Sequence, residues 1–516
     1  MQEHSIISEV SCLSEKQEKD TNLNTITPAF EFDKHGIGVE DIKAEAEKLL
    51  KKSKATPHAE ILPQLIEQFE PLDFEALVNS HNVEKFKLNA KHFLVLSIEN
   101  VLQVAEKNRW GLCKNHDFIY LYNGTFWAEI DSETFQKFLG EAAEQMGVPK
   151  FSARHYQFRE QLFKQFLATA YLPTPENNKD KVMINLQNGT FEISPQGINL
   201  KPFDRSDFIT YQLPFEYNPQ AKAPLFEAYL NRVLPDKECQ KVLAEYLGYI
   251  FIKHGSDALK EEKALVLYGT GANGKSVFFE IVNSLLGVEN VSSFSLKSLT
   301  NDNGYFRAKL ANKLANYASE INGNLEASIF KQLVSGEPVE ARLPYGQPFI
   351  LKQYARLIFN CNELPKDVEH TNAYFRRFLI IPFNVTIPPQ EQDKNLHTKI
   401  IEKELSGVFN WVLEGLNRLL EQKKFSDCEA SQRAVEQYRL ESDSVQMFLN
   451  EHGYKVSATN EIPLKDMFNE YRNYCIENGF KTCSVRTLAD RLRNIGYQIE
   501  RKGYGMAVDA EKKSFL

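Results

Sequence analysis

The chain has 516 residues, room for about three or four domains at roughly 150 residues each. Hydrophobic residues make up 42% and charged residues 25%, an ordinary balance for folded protein that argues against wholesale disorder. With 61 Lys and Arg against 69 Asp and Glu the formal net charge is -8, which excludes a globally basic nucleic-acid coat. It does not exclude nucleic-acid binding, because affinity follows where cations cluster rather than their sum.

Residues 1–90 are polar and rich in Glu and Lys, with helical periodicity around 42–50 and 61–69, and carry no visible chemistry. The N-terminus lacks an apolar core segment and no stretch approaches 18 apolar residues, so neither a signal peptide nor a membrane span is expected. Seven cysteines are scattered without a C-x-x-C pair, which argues against a zinc site or disulfide framework and for a reducing cytoplasm.

Residues 91–215 read as an α/β module. Asn123-Gly124 and Asn188-Gly189 each lie between strand-like runs, and the Asn-Gly hairpin signal requires φ > 0 at both central positions. Ser132 is the expected N-cap of the helix that follows the first hairpin, and Gly147 its stop. Residues 216–260 read as a helical collar, and 261–395 alternate strands with helices, the pattern of a parallel sheet. Residues 396–440 form a helical lid or connector. The segment 441–516 reads as three helices and a hairpin, a winged-helix-like domain.

The strongest local signal is Gly269-Thr270-Gly271-Ala272-Asn273-Gly274-Lys275-Ser276, a full G-x-x-x-x-G-K-[ST] phosphate loop. The apolar run 264–268 suits a buried strand before it, and Val277, Phe278, Ile281, Val282 and Leu285 form one helical face after it. The glycines let backbone N–H groups wrap phosphates and the helix N-terminus adds a favourable dipole. Lys275 is placed to reach the β- and γ-phosphates of ATP, and Ser276 to ligate Mg²⁺.

Three further features follow downstream. Glu320 ends a second strand run, where a carboxylate can organise Mg²⁺ and polarise water, or stand as a surface residue. Asn362 ends the run 354–362, its amide placed for the γ-phosphate or the lytic water. Arg376 and Arg377 precede another apolar strand, either as a solvated rim or as an arginine finger acting on a neighbouring subunit's nucleotide.

In order and spacing, Gly269–Ser276, SEI with Glu320, FKQLVSGEPVEAR, LIFNCNELP and FRRFLIIPF resemble the superfamily 3 helicases. The branch is the phage and plasmid primase–helicase C-terminal one, related to poxvirus primase-helicases; YNGTFW, NLQNGTFEI and FEYNPQAKAPLFEAYL extend the resemblance upstream. It implies an α/β fold with an AAA+-like ATPase core and a homo-hexamer that translocates on single-stranded DNA and opens forked duplexes. Lys275 and Ser276 would be the Walker A lysine and Mg²⁺ ligand, Glu320 the Walker B acid, Asn362 sensor 1, and Arg376 or Arg377 the finger.

The resemblance also sets a pre-sensor hairpin at RLPYGQPF, with Tyr345 and Gly346 near its tip. Tyrosine here departs from the basic tip of viral relatives; it can stack on a base, and PYG is equally a plain turn. Lys331, Arg342 and Lys352 would supply channel charge. Ile321 stands where many relatives carry a second acid, which leaves the division between Mg²⁺ support and water activation open.

At the C-terminus, Arg486, Arg491 and Arg493 fall on the expected recognition helix and Arg501 and Lys502 on the wing, a pattern for DNA binding or for a protein-docking domain with ordinary surface charge. No primase catalytic centre is found upstream, so a separate primase or an initiator is an expected partner. The expected function is an ATP-dependent DNA helicase for replication of a phage, plasmid or mobile element in a bacterial cytoplasm. The alternatives are an ATPase that loads or remodels complexes without unwinding, and a DNA-binding initiator with a regulatory nucleotide site.

Overall fold

The structure, a computed structural model, describes residues 55–79, 87–115, 118–172, 181–194, 197–319, 321, 326–344, 346–365 and 368–512. The periodic segment 42–50 lies outside them. The later one forms the helix His58–Ile66, which buries Ile61 and Leu65.

Helix α1 (Ala90–Lys107) leads into an antiparallel sheet of β1 (Gly111–Asn115), β2 (Phe118–Tyr122) and β3 (Trp127–Ile130). Helices α2 (Ser132–Gln145) and α3 (Tyr156–Thr169) pack Phe135, Phe138, Leu162 and Phe166 into one core with α1. The cap of α2 differs from expectation: Asp131, not Ser132, accepts the Thr134 N–H at 2.9 Å, because a carboxylate at that position also meets the helix dipole.

The first Asn-Gly turn differs too. Four residues, 123–126, join β2 to β3, and only Gly124 has positive φ, at 99°. The Asn123 side chain instead accepts from the Thr125 and Phe126 N–H groups at 3.0 and 3.1 Å, an Asx turn that removes the need for a left-handed asparagine. A second antiparallel sheet holds β4 (Val182–Leu186), β5 (Gly189–Ser194) and β6 (Gly197–Lys201). Leu186 pairs with Gly189, so the turn is Gln187-Asn188 and the glycine opens the strand.

Helices α4 (Pro224–Val233) and α5 (Lys237–Tyr249) follow. The core sheet contains β7 (Ala264–Tyr268), β8 (Val291–Ser292), β9 (Ala315–Ala318), β12 (Arg356–Cys361) and β13 (Phe378–Pro382), with α6 (Lys275–Leu286) after β7 and α7 (Ala327–Ser335) after β9. A separate antiparallel pair, β10 (Val339–Arg342) and β11 (Pro348–Leu351), stands before β12, and the short helix α8 (Asn372–Phe375) before β13.

The core strands run parallel in the order β13-β7-β12-β9-β8, which places the loop-bearing strand β7 between β13 and β12. Alternate residues feed two hydrophobic cores: Leu265, Leu267, Ile358 and Ile381 on one face, Val266, Leu357, Phe359 and Ile380 on the other. Burial on both faces explains why these strands read as continuous apolar runs.

Helix α9 (Leu396–Gln422) lies against α5 at backbone contact, and α10 (Glu429–Glu441) packs on the far face of the sheet through Tyr438. A methyl at Gly415 would sit 2.4 Å from the Ala244 carbonyl carbon, and one at Gly248 would sit 2.6 Å from Leu416 Cβ. Helix propensity alone would make Gly415→Ala stabilising by about 1 kcal/mol. A backbone wall at that distance cannot yield as a flexible side chain would. The expected result is therefore destabilisation by about 1–3 kcal/mol, read as a lower urea midpoint at unchanged slope.

The C-terminal segment holds α11 (Ser444–Glu451), β14 (Tyr454–Val456), β15 (Ile462–Pro463), α12 (Leu464–Asn478) and α13 (Val485–Ile495), then the hairpin β16 (Ile499–Lys502) and β17 (Gly505–Val508) and the strand β18 (Ala510–Lys512). Three helices and a β-wing around Phe448, Tyr471, Leu488 and Leu492 make a winged-helix arrangement. The fold class is α/β, as expected.

Candidate nucleotide site

The loop 269–274 leaves β7 at the carboxyl end of the parallel sheet, where ligands of open α/β sheets bind. Its backbone conformation is fixed by its neighbours. Gly269 has φ 159°, and a methyl there would meet the Phe383 carbonyl oxygen at 2.4 Å. Gly274 has φ 87°, and a methyl would meet Val233 Cγ1 at 2.7 Å. Ala272 is held left-handed at φ 58° while its carbonyl accepts the Ile387 N–H at 2.8 Å. Asn273 lies buried and donates through Nδ2 to the Thr270 and Phe383 carbonyls at 2.6 and 3.1 Å.

Lys275 opens α6 and is only 6% exposed. Its Nζ donates to the Gly269 carbonyl at 2.6 Å, to Asn273 Oδ1 at 3.1 Å and to Asn362 Oδ1 at 3.3 Å. Burial pulls its pKa below that of an ordinary lysine, so an anionic ligand is favoured beside it. Lys275 and Asn362 are 87 residues apart in sequence and meet because β12 pairs with β7. Ser276 is exposed toward the same cavity of about 620 Å³, which Ser319 and Asn360 also line. Glu320 lies outside the described residues.

The rest of the wall was not read from the sequence. Tyr229 of α4 donates its hydroxyl to the Gly274 carbonyl at 2.8 Å, and Leu225 and Arg232 of the same helix border the cavity. Opposite them stand Ile387 and Leu396, and Arg232 pairs with Glu391 at 2.6 Å across the mouth. Helix α4 is held there by Glu404 of α9, whose carboxylate accepts the Leu225 and Phe226 N–H groups at 3.0 Å each. The signal was the segment PLFEAYL itself, whose apolar face at helical spacing shows burial but not against what.

The two arginines separate. Arg377 is buried; it donates to Ser335 Oγ at 2.8 Å and to the Ala373 carbonyl at 2.5 Å, and pairs with Glu262 at 3.2 Å. Arg376 pairs with the same carboxylate at 3.0 Å but keeps 56% of its side chain exposed.

β10 and β11 form the hairpin at the expected segment, in register from Val339 with Leu351 to Arg342 with Pro348. Arg342 is exposed and closes the tip by donating from Nε to the Gly346 carbonyl at 2.9 Å; Tyr345 lies outside the described residues. Lys331 is on α7 rather than the hairpin and pairs with Glu369 at 2.9 Å. Lys352 is exposed just past β11.

In the winged helix, Arg491 turns to Asp443 at 3.6 Å, Arg493 to Asp490 at 2.8 Å, and Lys502 to Glu461 at 2.6 Å. Arg486 and Arg501 are exposed, and no ion pair to either is found among the described residues. Nor, among those residues, is any helix long and apolar enough to cross a membrane.

Residues 103–235 match the family described as D5 N terminal like, and 267–377 match a family of unknown function. Over 357 residues, 63% of this chain, it is 23% identical to "Putative helicase L207/L206" of Acanthamoeba polyphaga mimivirus. Over 345 residues it is 20% identical to "Putative helicase 121R" of Invertebrate iridescent virus 3. The chain covers 36% of the length of each of these viral proteins. The solved A form apo structure of the NrS-1 C terminal region aligns over 79% of this chain and 97% of that one, at 12% identity and a TM-score of 0.45. With the D5 N terminal like segment and the viral helicase-named relatives alongside motifs in family order, this chain is similar to the primase–helicase family.

Proposed function

We propose that the chain is an ATP-driven DNA helicase motor acting in replication of a phage, plasmid or related mobile element, and that it works on single-stranded DNA as a homo-hexameric ring. The observation that carries this reading is the meeting of Lys275 with Asn362 at 3.3 Å, inside a cavity walled by the phosphate loop and helix α4. The loop fits a triphosphate: a methyl at Gly271 would meet nothing within 4 Å, and the Lys275 ammonium is buried among neutral acceptors only.

In this reading Lys275 holds the β- and γ-phosphates, Asn362 orients the attacking water, and Ser276 with Glu320 would hold Mg²⁺. When bound, the metal neutralises phosphate charge as it develops. Arg376, exposed at the edge of the ATPase core, is the residue free to reach a neighbouring subunit. Residues 91–215 and the collar 216–260 form the module in front of the core 261–395, and 396–440 connect it to the winged helix at 441–516. The hairpin around Gly346, Arg486 of the recognition helix and Arg501 of the wing are the DNA contacts, with a separate primase or initiator as partner.

The test is strand displacement by the purified chain on a forked duplex. ATP-dependent separation is expected. DNA-stimulated hydrolysis without displacement would replace the helicase with a loader, and DNA binding without hydrolysis would replace it with an initiator.

A further inference from the structure

A second cavity, of about 280 Å³, lies away from the phosphate loop, between the N-terminal module and the ATPase core. It draws on β1 and β2, the segments 208–211, 250–254 and 311–314, and the strand β11 with the residues just after it. Among the described residues that line it, four are cationic, Lys253, Lys313, Lys352 and Arg356, and none is an aspartate or glutamate. That imbalance runs against a chain whose net charge is -8.

Among the described residues, no carboxylate of the cavity wall pairs with any of the four cations. Arg356 donates to the Ile252 carbonyl at 2.9 Å and stacks 3.9 Å over the Tyr249 ring. Lys313 donates to the Glu289 carbonyl, a neutral acceptor, at 2.5 Å. Lys352 projects to solvent at the lip. The Lys253 ammonium has no hydrogen bond or ion pair among the described residues, although its backbone carbonyl accepts the Ser256 N–H at 3.2 Å. Asp207 acts on the ammonium electrostatically, but that carboxylate is already bonded to Lys201 at 2.9 Å. Lys253 is exposed where it borders the cavity, so its ammonium is accessible to an anion that enters.

Aromatic rings line the cavity as well. Phe118 meets Phe349 edge to face at 5.8 Å, and Tyr120 meets Phe208 at 5.2 Å. Tyr120 is also fixed through its hydroxyl to Asn312 Oδ1 at 3.0 Å. Ring faces beside cations that have no carboxylate partner among the described wall residues are the two elements that hold a nucleobase and its phosphate.

We infer that this cavity is a second nucleotide site, which takes a phosphate-bearing nucleoside with its base against Phe118 and Phe349 and its phosphate on Lys253 and Lys352. The nucleoside phosphate comes either from a unit of a DNA strand passing the hairpin or from a free mononucleotide. The inference does not depend on ATP hydrolysis at the phosphate loop.

The experiment uses the full chain carrying Lys275→Ala, so that the phosphate-loop site contributes little. A fluorescent deoxynucleoside monophosphate and a fluorescein-labelled oligo(dT) are titrated separately and in competition. Binding of the mononucleotide is expected, with Lys253→Met weakening it about tenfold or more and Lys253→Arg restoring it, the loss of one or two charge-assisted bonds. Should Lys253→Met unfold the protein, Lys352→Met at the exposed lip serves instead. Competition by oligo(dT) assigns the site to the strand, and its absence assigns it to a free nucleotide. If neither probe binds, or the lysine variants bind both as the parent does, the second site does not exist.

Discussion

Arg376→Ala is expected to lower ATP turnover by about 10³-fold or more while leaving the unfolding midpoint unchanged, the size of effect an arginine finger supplies. The two halves of this expectation have separate causes. Arg376 is 56% exposed, and its ion pair with Glu262 is worth at most about 1 kcal/mol in water. Its guanidinium is therefore available to another molecule at little cost to its own. Arg377→Ala should do the reverse. Its bonds to Ser335, the Ala373 carbonyl and Glu262 are made at 8% side-chain exposure.

Losing those bonds should destabilise the chain by about 3 kcal/mol, the low end for a buried pair because Glu262 retains 25% exposure. Mixing supplies the decisive readout for the finger. Arg376→Ala subunits added to wild-type protein should depress activity more steeply than their mole fraction. A strictly proportional decline would show that Arg376 does not act across a subunit boundary.

Lys275→Ala is expected to reduce ATP turnover by about 10²–10³-fold, the loss that follows from removing one preorganised cation from developing phosphate charge. Stability should move little. Lys275 bonds three acceptors that water in a 620 Å³ cavity can satisfy, and removal of a desolvated ammonium offsets the lost contacts. Phosphate release measured alongside urea unfolding checks both statements. Turnover within a few-fold of wild type would take Lys275 off the phosphates, and with it the reading of the cavity as the hydrolytic site.

The phosphate loop was legible because its chemistry is local. Glycines at Gly269 and Gly274 are required by positive φ within eight consecutive residues, so spacing carries the whole constraint. The continuous apolar runs of β7, β12 and β13 were equally plain, since strands buried on both faces have no polar alternation to hide in. Turns were less legible. Asn123-Gly124 carried the hairpin signal, but a side-chain hydrogen bond solved the same bend with four residues instead of two.

The amino-acid sequence by itself determined the loop, its lysine, the strand-end asparagine and the presence of two arginines before β13. The tertiary structure decided what those residues meet. Pairing of β12 with β7 brings Asn362 to Lys275, and docking of α4 brings Tyr229 to the loop. The turn between α8 and β13 buries Arg377 and leaves Arg376 in water, a difference that two identical neighbouring letters cannot encode. The cation-lined cavity lies further still from local reading. Lys253, Lys313 and Lys352 are far apart in the chain, and each alone is an ordinary lysine. Only packing, which acts on distance in space rather than in sequence, sets them around one volume with no carboxylate among the described residues of its wall.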